Sequence, residues 1–475
     1  MATIDRSELR GPAGGTASPP GEAGALIARL ERLPFTRMHL GIAGMLGAGT
    51  LLDAFDSLII ASAAVVIATT MHLGLASVGV LISAAYLGQF VGALAFGGLS
   101  EMVGRRPAFI GALLIFGGLS LVTAAAWNYQ SLLVLRFLQG IGLGAEVPIA
   151  GALFNELVRG RTRGRVVLLY ESVYPWGILL APLVAAGLYA LVGQALGWRL
   201  LFVLGGLALV PAVVAWFALP ESPRWLVEHG HPESAERVVR RLEASARRRQ
   251  ELPPVGPVAL PSPRPTRFGE LLAPPYRRRT LVSWTQWFTA YFVTYGLTTW
   301  LPTLYVRIGG LPVTSSLLLT SLSSLVGNLP IAYLFALTAD RVGRKPFFVG
   351  GFALAVLGAA FGLAVVVAGG HPHWPVLFAS GLAMQVGVGC SSLGVYLYTP
   401  ELFPTRMRAW ATATGSSWNR IGAFIAPSVI GVLLGSGLGI GGVFAMFGVV
   451  AAAGGVVLAR WGLETRRRTL EELSR

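Results

Sequence analysis

A chain of 475 residues that is 54% hydrophobic and only 12% charged carries more apolar surface than a soluble domain of that length can bury. Its formal net charge of +15 raises the question of nucleic acid, but the basic residues lie in short stretches between apolar runs. No Walker loop, metal-ligand cluster or nucleophile with a neighbouring base occurs in the sequence, so an enzyme, a metal or cofactor site and ATP-driven work are all disfavoured.

Residues 1–25 are rich in Gly, Ala, Pro and Ser, include Asp5, Glu8 and Glu22, and lack an apolar stretch. They read as a disordered start to a cytoplasmic tail (1–37), not a signal peptide. Apolar runs of about 20 residues then predict twelve membrane spans. Six fall in a first half (38–219), at 40–68, 78–99, 108–126, 131–155, 166–192 and 199–218. Six more fall in a second half (280–460), at 280–305, 314–338, 347–369, 374–398, 409–433 and 437–460, before a second tail, 461–475. The linker between them, 220–279, holds twelve arginines, a helix-compatible segment at 233–250 and a Pro-rich stretch at 252–265. With both termini cytoplasmic, only Arg199 and Arg307 fall in outer loops and Arg136 and Arg420 inside spans. The other 33 of 37 Lys and Arg are then cytoplasmic, as the positive-inside rule expects. The arginine runs at 247–249, 277–279 and 466–468 suit anionic headgroups better than nucleic acid. The single cysteine, Cys390, lies in span 10 and forms no intramolecular disulfide.

The two halves share a loop. Gly97-Gly-Leu-Ser-Glu101-Met-Val-Gly104-Arg105-Arg106-Pro107 follows span 2, and Ala336-Leu-Thr-Ala-Asp340-Arg341-Val-Gly343-Arg344-Lys345-Pro346 follows span 8. Acid, turn glycine and basic pair recur in the same order, which reads as a breakable clamp between neighbouring helices, or more simply as positive-inside loops. A second pair follows spans 4 and 10. Glu156 precedes Arg163 by seven residues, as Glu401 precedes Arg408.

Six ionisable side chains interrupt the apolar runs: Asp53, Asp56, Arg136, Glu146, Glu171 and Arg420. A charge at the centre of a membrane helix costs roughly 2.5–3.5 kcal/mol, so each is expected to be paired, to face a water-filled cavity or to bind protons, conditions that a transport pathway supplies. Asp53 and Asp56, three apart, share a face of span 1. At ~1.5 Å per residue, Asp56 lies about 28 Å from Arg37, and Arg136 about 34 Å from Arg159, so both sit deep. An arginine lowers a neighbouring carboxyl's pKa and burial raises it, so a site that opens and closes can load and release a proton. The alternative is a static pair that fixes helix packing. Glu146 and Arg420 have matching depths. Arg420 could hold a substrate carboxylate and Glu146 an amine, a ring nitrogen or a proton, or the two could be structural. Glu171, six residues past Arg165, reads as structural or gating. On span 7, Trp284, Trp287, Phe288, Tyr291 and Tyr295 recur at spacings of three and four, so a planar ligand could stack on Trp287, Tyr291 and Tyr295. Ordinary packing is the alternative, with Trp284 and Trp300 in interfacial belts. Gly140, Gly142 and Gly144 permit close helix approach.

These motifs resemble the major facilitator superfamily over essentially the whole chain. Arg136-Phe-Leu-Gln-Gly140 and Pro220-Glu-Ser-Pro-Arg224 are similar to its sugar-porter and organic-ion branches. Gly144-Ala-Glu146-Val-Pro148, Leu169-Tyr-Glu171-Ser and Tyr398-Thr-Pro-Glu401 look most like the bacterial niacin permease group, and Asp53-Ala-Phe-Asp56 resembles the aromatic acid/proton symporters. Met102 and Ala336 depart from the loop pattern, and Gly462-Leu463-Glu464-Thr465 lacks an expected proline. The resemblance implies an all-α fold of two pseudo-symmetric six-helix bundles rocking around a site lined by spans 1, 4, 7 and 10. It also matches Asp56 to the proton-coupling aspartate of span 1 and Arg136 to its partner.

The expected function is proton-coupled uptake of a small aromatic or heteroaromatic acid, such as nicotinate, by a monomer in the inner membrane. Its partners are the substrate, protons and the bilayer, with no cofactor. Asp53, Asp56 and Arg136 are assigned to proton coupling, and Glu146, Trp287, Tyr291, Tyr295 and Arg420 to substrate. Gating is assigned to Gly97, Glu101, Gly104, Arg105, Arg106, Glu156 and Arg163, with Asp340, Arg341, Gly343, Arg344, Lys345, Glu401 and Arg408. A sugar or polyol symporter, a drug exporter and a non-transporting receptor remain alternatives.

Overall fold

The computed structural model describes residues 20–159, 170, 172–248, 251–255, 268–274 and 276–466. Glu171 and Arg163 lie outside the described residues, as does the Asp340 side chain.

Twelve described helical passes build the protein. The first six are α1 (Arg37–Thr70), α2 (Leu75–Val103), α3 (Arg105–Ala124), α4 (Tyr129–Leu157), α5 (Tyr174–Val192) and α6 (Gln194–Ala218). The second six begin with α7 (Arg277–Arg307) and α8 (Val313–Ser323, continued through a π-turn at Ser324–Asn328 into Leu329–Val342). They end with α9 (Arg344–Val367), α10 (Trp374–Glu401), α11 (Arg408–Gly435) and α12 (Gly439–Trp461). Ten of these are long and apolar enough to cross a membrane. α7 misses that standard because it is studded with Ser, Thr, Tyr and Gln, yet it is buried along most of its length, so protein rather than lipid surrounds it. α8 misses it because the π-turn divides the helix.

Local chemistry sets the helix ends. Thr36 caps α1 in a reciprocal box with His39, and Asn128 does the same for α4 with Ser131. Gly104 and Gly343, at φ +102° and +99°, turn the chain between α2 and α3 and between α8 and α9 in a conformation that suits glycine. Large apolar side chains such as Leu94, Leu191, Phe217, Leu357 and Val449 are exposed on the flanks, where lipid would cover them.

One stretch departs from the sequence expectation. Pro20–Glu31 is a helix, where composition reads as a disordered tail through residue 25. Its Leu26 and Leu30, with Leu33 just beyond, are buried in one cluster with Ala235, Val239 and Leu242 of the linker helix Pro232–Arg247. Arg29 pairs with Glu243 at 2.8 Å and Glu236 at 2.6 Å, and Arg32 with Glu243 at 2.7 Å. Local composition misses this helix because a twelve-residue amphipathic segment is stable only against its partner.

The apolar core has two parts. At the face that carries both ends of the described chain, the cluster belongs to the first bundle, the N-terminal helix and the linker helices. The other cluster fills the second bundle down to Leu402, Phe403 and Leu458 and, through the far half, runs without a break from α1 and α2 into α7, α10 and α11. There α2 and α11 touch backbone to backbone. A Cβ added at Gly79 would lie 2.6 Å from the Pro427 carbonyl oxygen, and one at Gly431 2.6 Å from that of Leu75. The far half is therefore shut.

Candidate functional site

Asp56 and Arg136 meet inside the first bundle. Arg136 Nη1 donates to Asp56 Oδ1 at 2.9 Å, and both side chains are 0% exposed. Gln139, one turn along α4 from Arg136, donates to both carboxylate oxygens at 2.7 and 2.8 Å, and Ser120 of α3 donates to Oδ2 at 2.8 Å. Arg136 Nη1 also donates to Gln139 Oε1 at 2.7 Å, and the guanidinium lies 5.5 Å from the Phe202 ring centroid. Four helices thus enclose one carboxylate supplied with four short hydrogen bonds.

Asp53, expected to share a face of span 1 with Asp56, meets a different set of partners. Three residues at 3.6 per turn leave side chains about 60° apart, enough to aim Asp56 into the bundle and Asp53 toward its surface. Arg136 pairs with Asp56, whereas Asp53, 4% exposed, lies in electrostatic reach of the phenols of Tyr86, Tyr174 and Tyr295. These rings join the bundles: Tyr86 of α2 packs on Tyr295 of α7 at 4.9 Å between centroids, and the Tyr174 and Tyr295 hydroxyls are 3.2 Å apart.

Arg420 crosses from α11 at the same depth. It donates to Gln89 Oε1 at 3.4 Å and to the Gly144 carbonyl at 3.1 Å, while Gln89 Nε2 donates to Ser57 at 3.1 Å. Glu146 is engaged separately and accepts from Thr50 at 3.1 Å, and the Thr50 hydroxyl also contacts Tyr170. Matching depth therefore does not bring Glu146 and Arg420 into an ion pair.

The aromatic stripe of α7 divides along its length. Trp287, fully buried, donates to Thr399 at 2.9 Å and stacks on Tyr291, and Tyr291 donates to the Ser392 carbonyl at 2.8 Å. Both rings contact α10 within the second bundle, and Tyr295 meets Tyr86 and Tyr174 of the first bundle. Trp300 is not interfacial. It is 0% exposed and donates to Pro427 at 3.1 Å, because α7 is wrapped by protein at that level. Trp284 bonds Thr414 and stacks near Trp418 and Phe268 toward the other end.

Both loops carry ion networks, and among the described residues each stays within its own bundle. Arg105 pairs with Glu101 at 2.8 Å and Glu156 at 3.1 Å, and Arg344 pairs with Glu401 at 3.0 Å. Glu156 and Glu401 thus serve the loop arginines. Arg408, seven residues past Glu401, donates to the Phe403 carbonyl instead. Glu221 caps the start of α3, accepting backbone N–H bonds from Arg105 at 3.0 Å and Arg106 at 3.2 Å. Glu464 does the same for α9 with Arg344 at 3.1 Å and Lys345 at 2.9 Å. Gly104 and Gly343 must lack Cβ, which would press on these two carboxylates. Gly97 has open space around it and Arg341 is exposed.

Glu221, Glu464, Gln139, Ser120, Gln89, Tyr86 and Tyr174 escaped the sequence reading as site residues. A polar residue one turn from a noted neighbour, as Gln139 is from Arg136, was the available signal. The lining also departs from the four spans implied by resemblance, since α2, α5 and α11 supply Tyr86, Gln89, Tyr174 and Arg420.

The sugar (and other) transporter family matches residues 44–475. The niacin transporter NiaP of Acinetobacter baylyi is 31% identical over 94% of this chain and 99% of its own length. The 4-hydroxybenzoate transporter PcaK of the same organism is 28% identical over 86% of this chain and 87% of its own. Among solved structures, a D-xylose-proton symporter superposes with a TM-score of 0.71 at 18% identity, covering 90% of this chain and 99% of that one, a likeness of fold. The protein is a multi-pass membrane transporter, not an enzyme, and belongs to the sugar (and other) transporter family of the major facilitator superfamily.

Proposed function

We infer that the protein imports a small aromatic or heteroaromatic acid, such as nicotinate, together with protons, by rocking of two bundles (38–219 and 280–460) about the central layer. The observation that carries this reading is the meeting of Arg420, Asp53 and the Tyr86, Tyr174 and Tyr295 phenols at one depth where the bundles touch. Arg420 offers a planar fork for a carboxylate, and the phenols offer rings for stacking and hydroxyls for orientation. A substrate carboxylate would replace Gln89 and the Gly144 carbonyl on Arg420, exchanging a bond between bundles for a bond to cargo. Asp53 would take up protons from the pathway. Asp56 with Arg136 would respond when the first bundle tilts and their partners shift. The names of the relatives, niacin and 4-hydroxybenzoate transporters, support the substrate class. The arginine distribution supports an inner membrane with both termini cytoplasmic, which makes the far half the outer half and this conformation closed to the outside.

Uptake of labelled nicotinate and 4-hydroxybenzoate into proteoliposomes, with and without an inward proton gradient, tests this. Accumulation that follows the gradient and collapses at least tenfold in Asp53→Asn is expected. Uptake indifferent to the gradient would remove proton coupling, and transport of sugars alone would remove the aromatic acid.

A further inference from the structure

We propose that a small cavity in the far half of the bundle interface is a second recognition subsite, one that takes a single neutral hydrogen-bonding group on the substrate ring, away from its carboxylate. The inference rests on the aromatic-acid reading and narrows its substrate class.

The cavity lies where α1, α5, α7, α8 and α10 converge, and its volume is ≈ 10 Å³. About 10–15 Å³ by this measure is the room one water needs, so the space admits one small polar group in this conformation. Five of its ten lining residues carry polar side chains: Ser62, Thr298, Thr320, Ser324 and Gln385. Gln385 of α10 lines it, is 1% exposed, and has no hydrogen-bond partner among the described residues for either its amide oxygen or its nitrogen. A buried amide left so is costly unless a visiting group completes it, and an amide can both donate and accept.

The backbone adds to this. Pro182 and Pro302 both line the cavity, and a proline inside a helix cannot donate to the carbonyl four residues earlier. Those carbonyls belong to Ile178 and Thr298, which line the same cavity. On α8 the lining residue Ser324 opens the π-turn, another local break in helical bonding and a feature that recurs at functional sites. Three of the five helices are therefore irregular at one point in space. Among the described residues no charged side chain lines the cavity, which suits a neutral occupant.

Position gives the rest. Thr298 lies three residues, about 4.5 Å, beyond Tyr295 along α7, and Leu58, also lining, five residues, about 7.5 Å, beyond Asp53 along α1. That offset suits one six-membered ring whose carboxylate is held in the central layer. A pyridine nitrogen or a phenolic hydroxyl would then reach Gln385, whereas an unsubstituted ring would leave the amide unpaired.

Binding of nicotinate, 4-hydroxybenzoate and benzoate to the purified full-length protein, wild type and Gln385→Leu, tests the subsite. The wild type should bind the two polar-substituted acids at least tenfold more tightly than benzoate. Gln385→Leu should erase that preference and change benzoate affinity less than twofold. Should that variant not accumulate, the near-isosteric Thr320→Val, also lining the cavity, should reduce the preference at least threefold. Equal wild-type affinity for all three acids, or a preference that survives in the variants, overturns the subsite and leaves the aromatic-acid reading standing. Binding of none of the three overturns that reading and the subsite with it.

Discussion

Glu221 and Glu464 hold the same station in the two bundles, each capping the helix that follows a glycine turn, yet they differ in acidity. Burial pushes the Glu221 carboxyl up, and N–H bonds from Ser222, Arg106 and Arg105 only partly offset it, so it ends above the ordinary carboxylate range. Burial also acts on Glu464, but N–H bonds from Arg466, Arg344, Lys345 and Thr465 outweigh it, and it ends below that range. The difference lies in what covers them. Over the first loop sit the linker helices, with Trp225 donating to the Glu101 carbonyl at 2.8 Å and Arg224 joining Glu31 at 2.5 Å to the Glu156 carbonyl. Over the second loop the described chain places the short run after α12, where Thr465 donates to Glu401 at 2.5 Å and Tyr398 to the Leu463 carbonyl at 2.6 Å. A repeated motif thus keeps its hydrogen-bond pattern while its electrostatics follow local burial.

The bundles differ still more in their interiors, and the largest effect is expected there. The first encloses the Asp56–Arg136 pair, whereas the second buries Gln286, whose amide has no partner among the described residues. Arg136→Ala, leaving a buried carboxylate short of its counter-charge, should cost about 3–5 kcal/mol and strip folded protein from detergent extracts. Gln286→Leu should be neutral or stabilising, because it removes an unmet polar group. A well-folded Arg136→Ala would show that the pair does not hold the first bundle together.

A smaller effect should separate the two capping glutamates. Glu464→Gln gives up charge-assisted bonds and should lower stability by about 1 kcal/mol after allowance for solvent screening, while Glu221→Gln should change little. The pH responses have opposite signs. Glu464, with its folded pKa lowered from 4.5, contributes stability that is present above pH 4.5 and lost as pH falls through the lowered value. The contribution of Glu221, raised from 4.5, is complete below pH 4.5 and lost as pH rises through the raised value. Melting curves of wild type minus each Gln variant, from about pH 3 to 7, check this, and parallel differences would erase the distinction.

The smallest effect concerns the cover itself. Hydrogen bonding to Arg29 holds the Glu243 carboxyl down at about 2, with Arg32 adding to it. The docking of the N-terminal helix should therefore weaken as pH falls from about 4.5 toward 2. Protease cleavage near Arg32 should rise over that window, and Glu243→Gln should show the faster cleavage already at pH 7. Equal cleavage of variant and wild type at pH 7 would mean that the apolar contacts of Leu26 and Leu30 suffice.

The sequence by itself determined the twelve passes, the repeated loop and the depth of Asp56, Arg136 and Arg420. Lipid requires about 20 apolar residues per crossing and penalises every charge within one, so both leave a one-dimensional trace. Tertiary structure alone decided which acid meets Arg136, that Tyr86, Tyr174 and Tyr295 converge across the bundles, that Trp287 packs inward, and that Pro20–Glu31 folds at all. Helical periodicity fixes the face on which a side chain stands but not the helix opposite it, and that neighbour comes from packing between segments far apart in the chain.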